Sequence, residues 1–126
     1  MFTGMSHIHL KVRDTERAAT FYRDGLGMTE LMTKHDGKMV ILGTPGVGDL
    51  LTISEGGIGA DVDALGEPGD NGGIDHFGFG LADHGEFDAA VQHLVDAGAT
   101  LLHVTELAPG WPTAFLRDPE GYAFQI

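Results

Sequence analysis

The chain has 126 residues, one domain by length, and its 42% apolar and 21% charged content is that of a globular protein able to bury a sizeable core. Nineteen acidic against seven basic side chains leave a formal net charge of −12, which opposes binding to a phosphate backbone or an anionic membrane surface, so neither nucleic acid nor membrane is an expected partner. There is no cysteine, hence no disulfide framework and no thiolate zinc site, and a start lacking an export signal, with no apolar run near the roughly 18 residues of a membrane span, is expected of a cytoplasmic protein.

Residues 7–12, HIHLKV, alternate apolar and polar as a half-buried strand does. The period then changes: Ala18, Phe21, Tyr22 and Leu26 fall on one face of a helix, which Asp14 or Thr15 can cap and Gly27 can stop. TELMTKHDGKMVILG and DLLTIS read as three short strands, with Asp36-Gly37 marking a hairpin turn and Gly43 to Gly48 a looser one. This first unit is βαβββ. Residues from about 55 to 73 are rich in Gly and Asp without periodicity and read as a linker.

The pattern then repeats. GIDHFGFGLAD reads as a strand, EFDAAVQHLVDAGA as a helix with Phe87, Ala90, Val91, Leu94 and Val95 on one face, and TLLHV, TAFLRD and YAFQI as three strands. His7 and Asp14 are seven apart, as are His76 and Asp83, and Leu26-Gly27 matches Ala97-Gly98 once the loop before the second helix is allowed two extra residues. Two unrelated strand–helix units are the plainer account, but they leave the matched spacing to chance. The expected fold is therefore α+β: two tandem βαβββ modules, about 5–54 and about 74–126, each sheet covered on one side by its helix, with the other faces forming a cleft.

HIHLKVRDTERAATFYRDGLGM, GGIDHFGFGLAD and TAFLRDPEGYAFQI, in that order, resemble the first-module opening, second-module opening and closing hairpin of the vicinal oxygen chelate superfamily, the glyoxalase, bleomycin-resistance and extradiol dioxygenase group. The resemblance spans essentially the whole chain as one such domain, 1–126. In metal-using members, ligands come from the first and last strand of each module, which implies His7, His76 and Gln125 here. The first-module counterpart of Gln125 is expected in DLLT at Leu50, with Thr52 the alternative if the loop length differs, and carries no strong ligand.

The resemblance implies a divalent ion (Zn, Ni, Fe or Mn) that chelates adjacent substrate oxygens and stabilises an enolate or similar anion, as in glyoxalase-like or dioxygenase-like lyases, isomerases and oxygenases. With no acid at either last-strand position, a proton transfer through a metal-bound carboxylate lacks its base. The other reading is a metal-free small-molecule or drug-binding protein of the bleomycin-resistance type. His9, on the same face as His7, is expected to line the pocket, as are Trp111 and Phe115, the LAPGWP loop being placed to close over a small organic ligand. For His7 and His9 packing on the strand is the alternative, for Gln125 a cleft hydrogen bond, for Phe115 the core. Glu120 reads as a solvated turn residue, Glu55 as a reserve ligand, and His35, His84, His93 and His103 as surface residues. The resemblance also implies a homodimer.

Overall fold

A computed structural model describes residues 5–55 and 76–126, together with Met1 and Gly69; apart from Glu55 and Gly69, the linker expected at 55–73 lies outside the described residues. The chain divides into two compact units, Met1–Pro68 and Gly69–Ile126. The first contains β1 (Ile8–Lys11), α1 (Thr15–Asp24), β2 (Thr29–Lys34), β3 (Met39–Gly43) and β4 (Leu51–Ser54). The second contains β5 (Phe77–Gly78), α2 (Phe87–Asp96), β6 (Thr100–Ala108), β7 (Trp111–Arg117) and β8 (Ala123–Gln125). Each is βαβββ, so the α+β, twice-repeated architecture is present.

In the first unit Asp14 is the cap of α1: its carboxylate accepts the Arg17 N–H at 3.0 Å. Thr15 is buried instead, its one hydroxyl proton shared between Lys38 O and a Glu55 carboxylate oxygen, both at 3.0 Å. Ala18, Ala19, Phe21 and Tyr22 are buried against β3 and β4, where Val40, Leu42, Leu51 and Ile53 alternate inwards. The helix ends as its spacing predicts, since Gly27 at φ 70° turns the chain so that the Met28 N–H reaches Tyr22 O at 3.1 Å. The β2–β3 hairpin turns through His35, Asp36 and Gly37, all at positive φ.

The second unit repeats this with one adjustment. Asp83 again caps, accepting the Gly85 N–H at 2.8 Å, but a single 3-10 turn, His84–Glu86, precedes α2 and takes up the two extra residues. Phe87 and Leu94 are buried from the predicted face of α2, whereas Val95 is 36% exposed. Phe77 and Phe79 pack around the fully buried Phe124, with ring centroids 6.0 to 6.3 Å apart, pairs worth about 0.5–1.5 kcal/mol each beyond the area they bury.

The two sheets have the same strand order, β1-β4-β3-β2 and β5-β8-β7-β6, with β1 parallel to β4 and β5 parallel to β8. The correspondence extends to irregularities: the register of β2 slips against β3 between Glu30 and Met32, and that of β6 against β7 between Leu101 and His103, at matching places. His9 pairs with Thr52 as Gly78 pairs with Gln125, and Ile41 faces Thr52 as Phe115 faces Gln125. Register therefore makes Thr52, rather than Leu50, the counterpart of Gln125.

Two local expectations are corrected. LAPGWP is not a closing loop. The strands run up to Ala108 and from Trp111, which are paired, leaving a two-residue turn in which Pro109 presets the bend and Gly110 adopts φ 80°. Glu120 is not solvated: only 3% of it is exposed, in a turn where the buried Asp118 carboxylate accepts the N–H groups of Glu120 and Tyr122 at 2.9 Å. A carboxylate two residues upstream ties the tight turn inwards, which a reading of Pro and Gly alone cannot foresee.

Candidate functional site

Side chains alternate across a strand, so in each sheet the face turned away from the helix is set by register. In the first unit that face carries His7, His9, Met32, Ile41, Thr52 and Ser54. In the second it carries His76, Gly78, His103, Phe115 and Gln125.

His7 precedes β1 and is exposed, its Nδ1 lying 2.8 Å from the hydroxyl of Ser6. His9 is half-buried, and its Nε2 sits 2.6 Å from the Ser54 hydroxyl. Burial, and then the neighbouring His7, push the His9 imidazole below the ordinary histidine range, so it favours the neutral form. Thr52 and Ser54 are buried beside it. Glu55, the reserve ligand, is held by Thr15 at the start of α1 and is not part of this face.

In the second unit His76, Phe115 and His103 form a row of rings. His76 meets Phe115 edge-on at 5.0 Å, and His103 lies at 6.4 Å on a nearly parallel plane. Phe115 is thus on the open face and not in the core, beside Gln125, its register partner on β8. Gln125 depends on a missing side chain: a Cβ on Gly78 would sit 3.0 Å from Gln125 Cγ and 3.6 Å from its amide nitrogen. The repeat puts His9 at the position of Gly78, which is why one module has an imidazole where the other has room for an amide.

Trp111 stands apart from that row. It begins β7, is 56% exposed, and lies against His84 with ring centroids 4.8 Å apart and planes tilted by 35°. His103 is the residue on this face that the sequence reading left at the surface. It is exposed, as expected, yet belongs to the row with Phe115, and its repeat counterpart Met32 lies on the matching face. A signal existed in the matched strand pairs, but the register slip in β6 breaks the alternation from which a face is read. His35, His84 and His93 are exposed as expected.

The donors on these faces are imidazole nitrogens, an amide and hydroxyls. Among the described residues no group of three or more His, Asp or Glu is arranged to hold a metal ion. Among them, too, no helix is long and apolar enough to cross a membrane.

A family model described as Glyoxalase/Bleomycin resistance protein/Dioxygenase superfamily matches residues 4–126. The chain belongs to that superfamily. Solved structures with this fold include a mutant of the fosfomycin resistance protein FosX from Listeria monocytogenes, complexed with Mn(II) and 1S,2S-dihydroxypropylphosphonic acid, at TM-score 0.75 and 21% identity over 99% of this chain and 89% of that one. A glyoxalase-related enzyme from Fulvimarina pelagi aligns at TM-score 0.76 and 21% identity, over 99% and 87% of the two chains. Lactoylglutathione lyase from Agrobacterium tumefaciens aligns at TM-score 0.72 and 20% identity, over 99% and 92%. No curated protein matches the sequence. At these identities the solved structures show the fold alone, and membership of the superfamily rests on the family model.

Proposed function

We propose that this protein is a metal-dependent enzyme of the lyase, isomerase or dioxygenase type that takes a small organic substrate through its oxygen atoms. His7, His76 and Gln125 are the proposed donors to one divalent ion of the Zn, Ni, Fe or Mn class, and His9, Phe115 and Trp111 the proposed substrate contacts. The observation that carries the proposal is the repeat: His7 and His76 occupy matching positions, one residue before Ile8 in β1 and before Phe77 in β5, on faces turned away from the helices. The FosX structure with Mn(II) supports a divalent ion in a protein of this fold.

The residues fit such an ion. Two imidazoles and an amide oxygen suit borderline divalent metals, and Gly78 leaves the Gln125 stem its space. When bound, the ion supplies Lewis-acid polarisation of a substrate oxygen, and neutral donors leave its full charge available for that. The chain's own groups do the rest. Phe115 braces the His76 ring edge-on and offers an apolar face to the substrate. Ser54 fixes the His9 ring, which its surroundings keep neutral, so His9 acts as a hydrogen-bonding group rather than a second positive charge beside the ion.

Metal analysis of protein purified without chelator is expected to find close to one ion per chain, and the double variant H7A/H76A to contain none while keeping its circular dichroism spectrum. Retention of the ion by that folded variant sinks the assignment. The same protein is proposed to be a homodimer, which sedimentation at micromolar concentration tests. One observation favours a second reading, a metal-free drug-binding protein: Thr52 and Gln125 leave both last strands without an acid. Under that reading purified protein carries no ion, and ligand binding survives chelator but is lost in F115A.

A further inference from the structure

On the other side of the second sheet, between the start of α2 and the β6–β7 hairpin, lies an open groove of about 510 Å³. His84, Gly85, Phe87 and Asp88 line it from the helix side and Val104, Thr105, Glu106 and Pro112 from the strands. Val104 and Glu106 pair with Ala114 and Pro112, so they alternate away from the face that carries His76, Phe115 and Gln125. Thr105, paired with Thr113, is on the Phe115 face, but none of the proposed metal donors lines the groove.

Three features of this groove point to one class of ligand. An exposed tryptophan stands at its rim: Trp111 lies against the lining residue His84, its ring tilted by 35° to the imidazole, and is followed in the chain by the lining residue Pro112, so 56% of a large aromatic side chain is left in water where it could cover a guest. Val104 adds apolar surface, 47% exposed. The charge is one-sided, since residues 69–126 contain nine Asp and Glu but a single Lys or Arg, Arg117. Arg117 is bonded to Gly121 O at 2.7 Å and lies six positions from Trp111 along β7, roughly 20 Å away. Asp88 and Glu106 line the groove; Asp83 is spent on the Gly85 N–H of the 3-10 turn, and α2, which has no side-chain cap, carries Asp88 in its own first turn. An aromatic wall with two carboxylates, and with the one Lys or Arg of its own unit held far along β7, attracts positive charge and repels anions.

We propose that this groove binds a small organic cation, an ammonium or guanidinium group carrying an apolar or aromatic substituent, with Trp111 and His84 against the substituent and Asp88 and Glu106 beside the charge. The groove shares Trp111 with the substrate contacts proposed above but none of the metal donors, so its binding is tested separately from the metal reading.

Trp111 is the only tryptophan, so its fluorescence reports on the groove directly. Benzyltrimethylammonium is expected to give a saturable change that uncharged benzyl alcohol does not, with amide shifts confined to residues 84–88 and 104–112. D88N and E106Q are each expected to weaken binding about threefold and the double variant about tenfold. V104R, which brings a cation to the groove from an exposed position, is expected to abolish binding with the fold intact. An equal response to benzyl alcohol, unchanged affinity in the double variant, or shifts centred on His76 and Gln125 would each overturn the proposal.

Discussion

Replacing Gly78 by alanine tests how the Gln125 amide is held. The added methyl would stand 3.0 Å from Gln125 Cγ, about 0.5 Å inside a comfortable carbon–carbon contact. The backbone cannot easily yield, because β5 is tied to β8 by the Phe79 N–H on Gln125 O at 2.9 Å. Gly78 is not at positive φ, so alanine itself is unstrained there, and restricting the unfolded chain favours folding by about 0.4–1 kcal/mol. Against this stands an overpacking cost of about 1–3 kcal/mol if Gln125 must leave its rotamer. G78A is therefore expected to lose about 1 kcal/mol. In a Q125A background, where the clashing atom is gone, the same change is expected to gain about 0.5 kcal/mol. Urea unfolding of the four proteins closes a double-mutant cycle with a coupling of about 1.5 kcal/mol. Additivity of the two substitutions would refute the claim that Gly78 makes room for Gln125.

Two further substitutions probe the site and the scaffold. Gln125→Glu puts a negative charge into an otherwise neutral donor set and is expected to tighten binding of the proposed ion about tenfold or more in a chelator-competition assay; unchanged affinity would remove Gln125 from the donors. Asp14→Ala removes the carboxylate that caps α1 and is expected to cost about 1 kcal/mol in thermal or urea unfolding, with Asp14→Ser recovering most of it.

Much of the fold was legible in the chain because each module's elements are signalled locally. Asp14 caps α1 and Asp83 the 3-10 turn that leads into α2, Gly27 and Gly98 stop the helices at positive φ, and HDGK turns one hairpin. The histidine pair was legible as well, since equal spacing in two copies marks equal position. The LAPGWP segment misled because its Gly and Pro suit a loop and a tight turn equally. What decided for the turn was the continued pairing of Glu106 with Pro112 and Ala108 with Trp111, a non-local interaction. Glu120 misled for a related reason: solvent is the default for a turn carboxylate until a buried Asp118 draws the turn inwards.

The amino-acid order by itself determined the duplication, the helix ends and the alternation that gives each strand two chemically different faces, because these depend on neighbours within a few residues. Which positions correspond across the copies was decided only in three dimensions. Hydrogen-bond register between β1 and β4 makes Thr52 the counterpart of Gln125, and the slip in β6 places His103 beside Phe115. Register is a property of two strands at once, and a one-residue slip sends a side chain to the opposite face, so no reading along a single strand can supply it.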